Sequence, residues 1–313
     1  MLPGVVIGLA SLLMVPGAAT ALPVRTVVAF NLAAKQTPEN VAIADDGTIY
    51  VSLSFAGEIR RIAPDGTQST LKMPTGGGIT TGIALDRRHG GDLDVAVRSP
   101  DRRVAGIWRV SRATFSRPIR ITALPVGAFP NGITFDRAGN LYIADSNLGR
   151  IWRLAPGSSS PTVWSGGKLL DPTGARFMNL PLPGANGIKV FRNTVYVSNT
   201  STETILAIRV MPGGAAGTIA VRFRRIEADD FAFAANGDLY VAVNPLSELI
   251  RISARGAFRT LAARADGLQN TSAVAFDPRP GRRTHLYITN SSYFGDRPSL
   301  QELTTRTAGL RLA

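Results

Sequence analysis

The sequence has no cysteine and only two histidines in 313 residues. Without cysteine there is no disulfide, no zinc–thiolate site and no thiol nucleophile. The fold must be held by its own core, which a chain of this size can bury. His89 sits in an expected hairpin and His285 just ahead of an expected strand, so a Ser-His-Asp triad is disfavoured. Lysine is also scarce: of the 35 basic residues only Lys35, Lys72, Lys168 and Lys189 are lysines, and the rest are arginines. Heptads and long amphipathic helices are absent, and plentiful glycine (32) and proline (20) argue for many turns instead.

No apolar run reaches the roughly 18 residues that a membrane-spanning helix needs. The longest candidate, residues 5–15, is followed by the small-x-small pattern Ala19-Thr20-Ala21. This reads as a signal peptide over 1–21, cut after Ala21. The expectation is an exported protein, secreted or held in the cell envelope or periplasm, with no transmembrane segment left after cleavage. The formal net charge is +13 and the isoelectric point is near 11.0. Attraction to an anionic polymer or surface is one reading of that charge. The arginines occur singly or in pairs such as Arg60-Arg61, Arg87-Arg88 and Arg224-Arg225, with no long block and no aromatic-interleaved motif. The charge therefore does not mark a specific nucleic-acid binder.

What the chain does have is a repeat. Around Asn131, Ile133 to Asp136 alternates apolar and polar, Arg137-Ala138-Gly139-Asn140 turns, and Leu141-Tyr142-Ile143-Ala144 forms a second run. Two short strands about a tight turn are implied. The same shape recurs from Glu39, Thr81, Asn186, Asp229 and Ser272, at spacings of 42, 50, 55, 43 and 43 residues along the chain. Periods of about 40 to 50 residues with several short strands each are the signature of propeller blades. The predicted fold is all-β, a six-bladed β-propeller of four-stranded blades over 22–313. It is a single domain, because each blade needs its neighbours to bury its faces. The strand-like run 24–32 is expected to complete the last blade. The connection 166–184 is unusually long and is expected to cover or shape a site.

The innermost strands of a propeller line its central channel, so the residues that open them should converge at one mouth. Glu39, Asn131, Asn186 and Asp229 are two carboxylates and two amide carbonyls, all hard oxygen donors. Taken singly, Asn131-Gly132 and Asn186-Gly187 would be ordinary turn residues and the acids solvated charges. Their coincidence of register points to a divalent metal, best Ca²⁺, with open positions for water or substrate. Thr81 and Ser272 occupy the other two positions and could support the ligands. With no histidine at hand, Asp229 is the candidate base. The second strands should return to the same mouth, placing Ser52, Arg98, Asp145, Ser198, Asn199, Asn244 and Asn290 around it. Of these, Arg98, Asp145, Asn199 and Asn244 are the candidate substrate-binding residues.

The stretch Pro130-Asn131-Gly132-Ile133-Thr134-Phe135-Asp136-Arg137-Ala138-Gly139-Asn140-Leu141-Tyr142-Ile143-Ala144-Asp145 resembles the senescence-marker-protein/gluconolactonase superfamily, close to paraoxonases and strictosidine-synthase-like propellers. The resemblance covers nearly all the chain after Ala21. It implies a divalent metal held by Glu39, Asn131, Asn186 and Asp229, and Asp229 as the base in lactone hydrolysis. Two positions depart from the family pattern. Phe129 stands where gluconolactonase-like members carry an arginine that holds sugar hydroxyls, and Gly132 stands where they carry an aspartate. The paraoxonase histidine pair has no counterpart. A lactone or ester more apolar than a sugar-acid lactone is the expected small-molecule substrate. The alternative is a non-catalytic propeller with a structural metal, whose mouth binds a ligand or partner.

Overall fold

The computed structural model describes residues 22–310, and the expected signal peptide lies outside the described residues. Six antiparallel four-stranded sheets form the chain's blades. Their innermost strands are Pro38–Ile43, Ile79–Asp86, Pro130–Phe135, Ala185–Phe191, Ala228–Phe233 and Thr271–Phe276. Each packs beside the next, and the sixth packs against the first, so the ring closes. Closure uses the N-terminus, as the run 24–32 predicts: Arg25–Ala29 pairs with Ser299–Thr304 as the outer strand of blade six. Among the described residues there is no α-helix, only short 3₁₀ turns, and none is long and apolar enough to cross a membrane.

The core lies between blades rather than within them. Tyr50 and Ile59 of blade one share a cluster with Leu93, Val95 and Val97 of blade two. Tyr240 and Ala242 of blade five pack with Leu286 and Ile288 of blade six. Four further clusters join the remaining neighbours in the same way. A blade alone would leave both apolar faces in water, which is why the repeat forms one cooperative domain.

All six innermost strands carry a register shift at the same place. It falls between Pro38 and Asn40, Thr80 and Ile83, Pro130 and Ile133, Ala185 and Ile188, Ala228 and Phe231, and Thr271 and Ala273. Such bulges re-aim a side chain and free backbone groups from the ladder. Small hydroxyl side chains take up the freed groups. Ser198 Oγ accepts from Gly187 N at 2.8 Å and donates to Asp229 O of the next blade at 2.7 Å. Ser52 Oγ accepts from Asn40 N at 3.0 Å and donates to Thr81 O at 2.6 Å. Thr81 Oγ1 donates to Pro130 O at 2.8 Å, and Ser272 Oγ reaches Pro38 O across the ring closure at 3.0 Å. Ser52 and Ser198 are fully buried. Their polarity serves the backbone, not solvent or substrate. Replacing Ser198 by alanine strands a buried N–H and a buried carbonyl together. The expected loss, measured by urea unfolding, is about 1–3 kcal/mol.

Candidate metal and substrate site

The bulges place Glu39, Thr81, Asn131, Asn186, Asp229 and Ser272 at one level of the channel, one per blade. Glycine allows three of the inner strands to approach this closely. A Cβ on Gly82 would meet Asn131 O at 2.2 Å, one on Gly132 would meet Asn186 O at 2.6 Å, and one on Gly187 would meet Asp229 O at 2.5 Å. Gly132 therefore follows from backbone packing at this position, where an aspartate side chain has no room.

Asp229 accepts from Asn186 Nδ2 at 2.8 Å and from Asn244 Nδ2 at 2.9 Å. Asn186 Nδ2 also donates to Thr200 Oγ1 at 3.0 Å, and Asn131 Nδ2 donates to Ser146 Oγ at 3.2 Å. Both amide nitrogens are thus tied back. Neither Oδ1 accepts a hydrogen bond from any described residue, so each remains available as a donor to a ligand. Glu39 accepts a hydrogen bond from the Tyr293 hydroxyl. Burial pushes the Glu39 carboxyl up to about 7, against the lowering effect of Tyr293 and with Asp230 adding repulsion. Asp229 is raised well above the usual carboxylate range by burial first, then by the charges of Glu39 and Asp230.

Neither acid forms a salt bridge with a described residue; the nearby ion pair, Lys189 Nζ to Asp230 at 2.6 Å, belongs to the next residue along. Two buried carboxylates without a cation, beside two free carbonyl oxygens, form a donor set that a hard divalent ion would satisfy. No group of three or more acidic or histidine side chains placed to hold a metal ion occurs among the described residues, so a metal at this mouth would need the amide oxygens as well.

The four candidate substrate-binding residues divide by strand alternation. Hydrogen-bond register aligns Ser54, Arg98, Ser146, Thr200, Asn244 and Ser291, one from each second strand or the residue just past it. Arg98 and Asn244 belong to this set. Arg98 is exposed, with its guanidinium 4.4 Å from the Phe129 ring centroid, and Asn244 touches Asp229. Asp145 and Asn199 lie one residue earlier and point to the other face, which corrects their expected role. Asp145 is fully buried and accepts from the amides of Phe129, Asn147 and Leu148 and from Trp152 Nε1. Asn199 is fully buried and donates to Leu169 O and Asp171 O, both at 2.9 Å. One holds a turn and the other anchors the long connection. Ser146 and Thr200, the residues that follow them, are the ones that touch Asn131 and Asn186. Aligning the second strands by register rather than by their last polar residue would have found them. The histidines stand away from the site, His89 on Asp86 at 2.6 Å and His285 on Glu302.

The long connection carries a small hairpin, Arg176–Phe177 with Leu180–Pro181. Leu170 is fully buried in the core between blades three and four. The Phe177 ring lies 5.6 Å from Phe294, which sits in the loop between the His285–Asn290 and Ser299–Thr304 strands of blade six, on the far side of the ring. The connection therefore arches over part of the mouth. Beneath it, Phe55 packs 5.5 Å from Tyr293. Tyr293 carried no sequence signal, being a lone tyrosine in a loop, and only folding brings it to Glu39, 254 residues away. Removing its hydroxyl in Tyr293→Phe takes away the group that lowers the Glu39 pKa. A carboxyl-carbon NMR titration should then place Glu39 above its wild-type value of about 7. An unchanged or lower midpoint would contradict this geometry.

Neither a protein-family model nor a curated protein matches this sequence. Solved structures do. A calcium-binding protein, regucalcin, from Agrobacterium tumefaciens superposes with a TM-score of 0.68 at 16% identity, covering 92% of this chain and 96% of that one. A gluconolactonase from Xanthomonas campestris gives 0.62 at 20% identity, covering 91% and 95%. An auxiliary nutrient binding protein from Bacteroides thetaiotaomicron gives 0.66 at 12% identity, covering 90% and 75%. The fold expected from the repeat motif is met: this chain is a six-bladed β-propeller, and its fold is shared by the gluconolactonase and regucalcin structures.

Proposed function

We propose that this protein is an exported, divalent-metal-dependent hydrolase of lactones or related esters, with Ca²⁺ the best-fitting ion. The observation that carries the reading is the pair of buried carboxylates, Glu39 and Asp229, without a cationic partner among the described residues and beside the free carbonyl oxygens of Asn131 and Asn186. Those four residues would hold the ion, and when bound it would supply the positive charge that polarises a substrate carbonyl. The likeness to a gluconolactonase and to a calcium-binding regucalcin supports the same class.

Asp229 is the general base of this proposal. Its two oxygens are oriented by Asn186 and Asn244, so a water near the mouth can pass a proton to a fixed carboxylate. The water oxygen adds to the carbonyl carbon, the ring C–O bond breaks, and the departing oxygen takes up a proton. Substrate character follows from the rim. Phe129 lies under Arg98, and Phe55, Val126, Met178, Leu180, Leu246 and Phe294 are exposed on loops at this end. Such a rim favours a hydrocarbon substituent over a polyhydroxylated sugar acid. The arch from 166–184 to Phe294 is the feature that favours the second reading, a binding propeller with a structural metal.

Metal content by mass spectrometry separates the readings at their root. About one Ca²⁺ per chain is expected in the wild type and none in Glu39→Gln/Asp229→Asn. A metal-free wild type after calcium dialysis would overturn the hydrolase proposal. In a lactone screen Asp229→Asn should lower kcat by about 10²–10⁴-fold; a bound metal with no turnover of any lactone or ester would favour the binding reading.

The pH dependence of stability has a defined sign. A carboxyl whose pKa is raised by folding contributes stability below its unfolded value, and this is lost as pH rises through the folded value. For Glu39 that window runs from the ordinary carboxyl value of 4.5 to about 7. Metal-free protein should therefore unfold at a lower temperature at pH 8 than at pH 5, with Glu39 contributing about 3 kcal/mol. Calorimetry should show that contribution removed in Glu39→Gln and the loss reversed by added Ca²⁺.

A further inference from the structure

The opposite end of the channel carries a second site. Below the bulges, the inner strands enclose a cavity of ≈ 960 Å³ that opens on the face away from Glu39 and Asp229. Its lining is mixed: Ala42, Ala84, Leu85, Phe135, Phe191 and Ala275 are partly exposed to it beside Thr134 and Lys189, while Ile43, Ile83, Phe233 and Val274 behind them belong to the core between blades. Phe191 stacks on the buried Phe233, with centroids 4.4 Å apart and planes 8° apart, which fixes the partly exposed Phe191 ring in one wall. Asn40 and Lys189 line the inner end, and both bind Asp230: Asn40 Nδ2 at 3.1 Å and Lys189 Nζ at 2.6 Å. The charge at that end is therefore already balanced.

The outer rim is not balanced. Arg87, Arg88, Arg137, Arg192 and Arg209 line it. Arg87 is paired with Asp45 at 2.9 Å. The other four have no carboxylate partner among the described residues. Two acids, Asp86 and Asp136, share the rim, and both are engaged. Asp86 binds Arg109 at 2.7 Å and His89 at 2.6 Å, while Asp136 accepts from Asn140 and from the Tyr142 hydroxyl. Arg192 lies in the hairpin between Phe191 and Thr194 of blade four, Arg209 is the ladder partner of Thr194 on the following strand, and Arg137 lies in the hairpin between Phe135 and Leu141 of blade three. Guanidinium groups without a carboxylate partner among the described residues thus line the open end of a channel with partly apolar walls.

We propose that this lower mouth binds a free amphipathic organic anion of the medium-chain carboxylate type. The hydrocarbon fills the channel, and the carboxylate is held by Arg192 and Arg209 with Arg137 beside them. Guanidinium suits the head group because it offers paired donors to a carboxylate. The volume lies within the range of ordinary small-molecule pockets. The proposal is independent of the hydrolase reading, since it uses neither Glu39 nor Asp229.

Isothermal titration of the full folded protein with decanoate tests it, with acetate and 1-decanol as head-only and tail-only probes. One decanoate per chain is expected, at least about tenfold tighter than either control. Arg192→Gln/Arg209→Gln should weaken decanoate by about tenfold or more, the size of one charge-assisted hydrogen bond. Both arginines are exposed, so circular dichroism should show the fold unchanged. Added salt should weaken binding to the wild type. Glu39→Gln/Asp229→Asn should leave it intact. No binding of decanoate below its micellar concentration, equal binding to the arginine variant, or loss of binding in the Glu39/Asp229 variant would each overturn the proposal.

Discussion

The molecule depends on how six inner strands meet around one axis. Each strand must break its own ladder at the channel mouth to turn one side chain inward, and each break frees backbone groups that water cannot reach. Buried hydroxyls such as Ser52, Thr81, Ser198 and Ser272 take up those groups and pass hydrogen bonds to the carbonyls of the neighbouring blade. Unpaired, each group would carry a desolvation cost comparable to a lost hydrogen bond. The same contacts that close the ring therefore aim Glu39, Asn131, Asn186 and Asp229 at a common point.

Charge is distributed unevenly along the axis. Among the described residues, two buried acids at one mouth have no cationic partner and four arginines at the other have no carboxylate partner, while between them Lys189, Asp230 and Asn40 form a neutral plug. In a narrow, low-dielectric channel these imbalances are felt more strongly than on an open surface. A strongly basic composition thus does not make every part of this protein basic, and the acidic mouth sits inside a cationic surface.

Much of the fold was legible in the chain. The spacing of Glu39, Thr81, Asn131, Asn186, Asp229 and Ser272 implied six blades, and the run before them implied strand closure, because alternation and turn chemistry are local properties. The shared register of Glu39, Asn131, Asn186 and Asp229 was legible for the same reason: they open equivalent strands of a repeat. Asp145 and Asn199 were misplaced because the last polar residue of a strand is a weaker guide than its hydrogen-bond register. A slip of one residue turns a side chain to the opposite face. Ser146 and Thr200, small and unremarkable in sequence, occupy the inward positions instead.

By itself the sequence determined the blade count, the closure by residues 25–29, and the oxygen-donor character of one mouth, since each is written in short-range pattern and residue type. Only the tertiary structure decided the rest. It brought Tyr293 to Glu39, turned the 166–184 connection toward Phe294, made Gly132 a requirement of backbone approach, and opened an arginine-rimmed cavity at the far end. The physical reason is separation along the chain. These contacts join residues of different blades whose neighbours in sequence carry no trace of one another, and they exist only once the ring has closed.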